Sequence, residues 1–120
     1  MIRTATMPER TRSKVPAEHR EEVAQILELA AKRIDTNGWR RGSNGDTDQK
    51  GTGCACAEGH IIAVSRRYFT RMALASLGAA ADPKKDWGSG VYQWNDLQTD
   101  RRKVQRAMRR VARYLRGANR

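Results

Sequence analysis

The chain has 120 residues, a length that sets the expectation of a single domain. Hydrophobic residues make up 38% and aromatics 6%, so the core is modest, and a domain of this size buries only about two-thirds of its unfolded surface. No apolar run approaches the roughly 18 residues of a membrane span. A formal net charge of +11 turns attention to anionic partners, whether nucleic acid, acidic protein surfaces or anionic lipid.

The N-terminal stretch MIRTATMPERTRSK is polar and basic, with no apolar segment of the kind a secretory signal needs. Residues 1–15 therefore read as a flexible basic arm, and 16–117 as one helical domain with a short tail at 118–120. Pro16 suits a helix opening, where its missing N–H is not needed. Glu18, Glu21 and Glu22 follow near the positive end of the helix dipole. Val23, Ile26, Leu27, Ala30 and Ile34 recur at helical spacing, Asn37-Gly38 ends the helix, and Trp39 is expected to fold back onto the core.

Residues 40–53 (RRGSNGDTDQKGTG) hold four glycines and no aliphatic side chain, which makes them a loop. Asp46-x-Asp48 falls short of a calcium loop because Lys50 occupies a ligand position. Lys50-Gly51-Thr52 has the wrong order for a nucleotide-binding P-loop, and Gly51-x-Gly53 is the ordinary lead-in to a helix. A second helical stretch runs from about Cys54 to Leu77, with a break where Ser65-Arg66-Arg67 interrupts the apolar pattern. Gly59 inside it suggests close approach of another backbone, and Gly78 with the alanines after it ends it. Asp82-Pro83 starts a short turn, Trp87-Gly88-Ser89-Gly90 is another, and Val91 to Trp94 is one more helical turn. No segment alternates as a strand does.

The last helix follows, capped by Asp100 or Thr99 and running to Gly117. From Arg101 to Arg120 there are nine Lys/Arg and no acid. Val104, Ala107, Met108, Val111 and Leu115 form its apolar stripe, while Arg102, Arg106, Arg109, Arg110, Arg113 and Arg116 gather on the opposite face. The expected core is Val23, Ile26, Leu27, Ile34, Trp39, Cys56, Ile61, Val64, Met72, Trp94, Val104, Met108, Val111 and Leu115.

Cys54 and Cys56 stand one residue apart, too close for comfortable disulfide geometry, so a reducing, cytoplasmic compartment is expected. Cys54-x-Cys56-x3-His60 contains metal-capable residue types, but a structural zinc needs four ligands, and small buried sulfurs in a core are the better reading. A Cys56–His60–Asp96 nucleophile arrangement has nothing in the sequence to bring it together. Neither a metal nor a cofactor is expected, nor an enzyme. Trp94-Asn95-Asp96 reads as structural, with Trp94 packed inward and the two polar residues bonding backbone groups that set how the last helix leaves.

The order Gly38-Trp39, polar loop, Cys56-Ala57-x-Gly59-x-Ile61, Trp94-Asn95-Asp96 and a last helix with Val104 resembles a small actinobacterial and actinophage family, family 6197 of the domains of unknown function, over roughly residues 23–115. The chain departs from that pattern in His60-Ile61, where Ala-Leu is usual, and in Lys103, where an acid is usual. The resemblance implies a compact helical fold and an actinobacterial or phage setting, and it brings no activity. The expected fold is all-α: three main helices with short helical turns. The expected function is non-enzymatic engagement of nucleic-acid backbone by the last helix, with docking on an acidic host protein as the alternative and no membrane partner.

Overall fold

The structure, a computed structural model, describes residues 7–41 and 56–117. The arm's first six residues, the Asp46, Lys50 and Gly51 motifs, Cys54 and the tail at 118–120 lie outside the described residues. The fold is all-α. Its elements are α1 (Glu9–Ser13), a 3-10 turn (Ala17–His19), α2 (Arg20–Asn37), α3 (Ala57–Val64), α4 (Arg67–Ala80), α5 (Val91–Asp96) and α6 (Arg101–Leu115). The three long helices α2, α4 and α6 form the body, and α2 with α6 makes the most extensive interface.

That interface follows from two apolar stripes. Val23, Ile26, Leu27, Ala30 and Ile34 of α2 are buried, as are Val104, Met108, Val111 and Leu115 of α6. Burying such side chains contributes roughly 1.5–3 kcal/mol for each of the larger ones. Gln105 sits at the edge of the seam and donates to Ala31 O (2.9 Å) and Asp35 Oδ1 (2.8 Å), so this buried amide is satisfied. Of the expected core, only Trp39, Val64 and Met72 are half-buried instead of buried. The break between α3 and α4 falls at Ser65 and Arg66, both extended.

Gly38 ends α2 at φ 91°, ψ 168°. This is a region that glycine alone adopts without strain, and it differs from the left-handed cap expected there. Asp100 caps α6, its carboxylate accepting from Arg102 N.

Two expectations are corrected. Residues from Met7 to Val15 are not a flexible arm. Met7, Thr11 and Val15, spaced four apart around α1, are buried against the body. The arginines between them serve helix ends. Arg10 donates to Ala79 O (3.0 Å) and Asp82 O (3.3 Å) at the C-terminus of α4. Arg12 donates to Tyr114 O (2.9 Å) at the end of α6 and lies 4.3 Å over the Tyr114 ring. Guanidinium groups thus sit at the negative ends of two helices, donating to carbonyls in or just beyond their last turns. Lys14 meets Asp86 at 3.4 Å.

The second correction concerns Gly78, which does not end its helix. α4 continues to Ala80, and Gly78 is buried within it. The 87–90 turn lies so close that a Cβ on Gly78 would stand 1.8 Å from Gly88 O. Trp87 N donates to Gly78 O (3.0 Å), closing the contact.

Candidate functional site

At about 100° per residue, the cations of α6 form two stripes, not one face. Arg102, Arg109 and Arg116 repeat every seven residues and lie toward α2. Lys103, Arg106, Arg110 and Arg113 fall in a sector of about 80° further round, away from α2.

The first stripe meets carboxylates. Arg116 grips Glu21 with two parallel bonds, Nε to Oε1 at 2.9 Å and Nη2 to Oε2 at 3.0 Å, and reaches Glu28 Oε2 with Nη1 at 2.6 Å. Arg109 stands 3.8 Å from Asp35. Glu21, Glu28 and Asp35 themselves repeat every seven residues along α2. The two helices run antiparallel, so the acidic heptad of one lies beside the basic heptad of the other, as charged flanks do beside a coiled-coil seam. Arg102 turns to its own cap residue, Asp100, at 3.2 Å. Arg102, Arg109 and Arg116, all expected to face an anionic partner, are therefore engaged within the chain. The matched heptads were the sequence signal for this. Reading α6 alone concealed it.

These pairs set a pH dependence. The Arg116 guanidinium holds the Glu21 carboxyl below its ordinary range, with Gln25 adding a smaller effect. A lowered folded-state value means stability that is present above the ordinary carboxylate range and is lost as pH falls through the lowered one. Arg116→Gln is thus expected to melt below the parent at neutral pH and to match it in strong acid. Paired thermal melts at about pH 7 and about pH 2 check this.

In the second stripe, three cations have no such partner. Among the described residues, Lys103, Arg106 and Arg113 make no ion pair, and all three are exposed. Three members of this stripe also line a groove of about 230 Å³ between α5 and α6. Its walls are Gln98, Lys103, Arg106 and Arg110, and its floor is Ala81, Trp94 and Ala107. No carboxylate is among these lining residues.

The structural candidates form a separate hub. Asn95, fully buried, accepts from Trp39 Nε1 (2.6 Å) and Ala57 N (3.0 Å) through Oδ1, and donates to Arg40 O (3.1 Å) through Nδ2. It therefore ties the end of α2 to the start of α3, across the segment 42–55, and does not direct α6 as the tripeptide suggested. Asp96 is exposed and accepts from Asn95 Nδ2 at 3.3 Å. Trp94 packs inward, and Gly59 is buried in α3.

His60 is buried with both ring nitrogens engaged, Nε2 donating to Gly38 O (2.7 Å) and Nδ1 accepting from Arg33 Nη1 (3.0 Å). The Arg33 donor fixes the neutral tautomer, since arginine cannot accept. Cys56 lies at the start of α3. Burial pushes its thiol up, an effect partly offset by the N–H groups of Gly59 and Glu58. A thiol raised in this way is a poor nucleophile at neutral pH. Among the described residues, no group of three or more His, Cys, Asp or Glu side chains is placed to hold a metal. No helix among them is long and apolar enough to cross a membrane.

No curated protein and no solved structure matches the chain. The sequence model of one family does, over residues 18–114, a span that takes in α2 through nearly all of α6. The hub, the groove and the matched heptads except Arg116 lie inside that span. The chain belongs to this family, described as a family of unknown function, DUF6197.

Proposed function

We propose that the protein is a non-enzymatic binding module that engages nucleic-acid backbone through the outward stripe of α6, formed by Lys103, Arg106, Arg110 and Arg113. The observation that carries this reading is the contrast between the two stripes. One helix bears two rows of cations; the fold pairs one row with acids and, among the described residues, gives Lys103, Arg106 and Arg113 of the other no ion pair. Like charges three and four residues apart repel by a few tenths of a kcal/mol per pair, a cost that an external polyanion removes. Arginine and lysine without Asn or Gln beyond Gln98 suit phosphate contacts more than base readout. Docking on an acidic protein uses the same stripe and is the competing reading.

The test is a salt titration with a short duplex. Six phosphate contacts would give a log–log slope of roughly −5, whereas the three or four that the outward stripe offers give roughly −2.7 to −3.6. A slope in the second range supports the reading. Absence of binding at about 50 mM salt removes it.

A further inference from the structure

We propose that the groove between α5 and α6 is the seat for one phosphate of that backbone, with the adjoining sugar lying on the floor of Ala81, Trp94 and Ala107; this rests on the nucleic-acid reading above. The walls and floor differ in the way the ligand does. Lys103 and Arg106 stand on one side as charged donors, and the floor is indole and methyl surface. Trp94 is 6% exposed, so it offers no open face on which a base can stack. Gln98 has its Nε2 tied to Trp94 O at 3.1 Å, which makes the amide a fixed wall. The volume of about 230 Å³ admits a phosphate with its sugar and excludes a larger folded element.

The stripe continues past the groove to Arg113, so the cations from Lys103 onward span about 15 Å along the helix axis. A row of that length running along the groove suits a polymer with regularly spaced charges. An isolated carboxylate would use only one point of it. Phosphates positioned in this way fix the register of the protein on its ligand without reading sequence.

The experiment uses the full chain, nitrogen-15 labelled, with a short DNA duplex and, separately, a poly-glutamate peptide, at about 50 mM salt. The expected result with the duplex is movement of the Trp94 indole N–H and the Gln98 side-chain amide signals. In Lys103→Gln/Arg106→Gln, affinity falls on the order of 100-fold, because each lost contact is worth roughly tenfold at this salt. Both positions are exposed, so the variant keeps the parent melting temperature and signal dispersion. Duplex binding that leaves Trp94 and Gln98 unmoved and is unchanged in the variant overturns the groove while leaving the nucleic-acid reading intact. Failure of the duplex to bind overturns both. Groove signals that move with poly-glutamate and not with the duplex also overturn both, in favour of an acidic protein partner.

Discussion

Replacing Gly78 with alanine is expected to destabilise the protein by about 3 kcal/mol or more, lowering the melting temperature by roughly 10 °C or abolishing folding. The added Cβ would stand 1.8 Å from Gly88 O and 3.0 Å from Gly88 C, both backbone atoms that no rotamer change can clear. Relief requires the 87–90 turn to retreat from α4, which breaks the bond from Trp87 N to Gly78 O. The turn also begins α5, so the displacement carries into the groove. Gly88→Ala is the control. Gly88 has φ +59° and open space around its missing Cβ, so alanine there meets only backbone strain, about 1 kcal/mol. Thermal melts of the two variants separate close packing from conformational strain at one contact. A Gly78→Ala variant as stable as Gly88→Ala contradicts the packing described.

Asn95→Ala carries the second large effect. Its Oδ1 accepts two donors, the Trp39 indole N–H and the Ala57 amide, and both lose their partner at once. A buried donor left unsatisfied costs about 1–3 kcal/mol, so the variant is expected to lose about 2–4 kcal/mol in denaturant unfolding. Asn95→Asp keeps the acceptor and loses the donor to Arg40 O, and it puts a carboxylate in a buried position beside Asp96. It is expected to be nearly as destabilising as the alanine at neutral pH, and less so in acid. Hydrogen exchange at the Ala57 amide distinguishes a local from a global effect. If Asn95→Ala costs less than about 1 kcal/mol, the hub is not what joins α2 to α3.

Why some of this was readable before the fold and some was not follows from sequence distance. The α6 stripe, the Asp100 cap, the break at Ser65-Arg66 and the end of α2 at Gly38 are local patterns, set by neighbours within four residues. The family resemblance rests on the same short motifs, and the match over residues 18–114 bears it out. Asn95 joins partners 38 and 56 residues away, and no local period announces that. Met7, Thr11 and Val15 do have helical spacing, but too few apolar residues surround them to stand out from a basic tail. Gly78 matters because of a turn ten residues on, whose path only the tertiary structure determines. The division of the α6 cations is the instructive case. Its sign was present in Glu21, Glu28 and Asp35, seven apart on α2, but it becomes visible only when α2 and α6 are set antiparallel and their charges are compared in register.

That division is tested most directly by the affinity of two triple variants for the same duplex at about 50 mM salt. One neutralises Lys103, Arg106 and Arg113 to Gln; the other neutralises Arg102, Arg109 and Arg116 to Gln. The expected result is a loss on the order of 10²–10³-fold for the first and less than about threefold for the second. Equal losses in the two variants, or the larger loss in the second, would contradict a helix with one stripe held by the fold and one left for an anion.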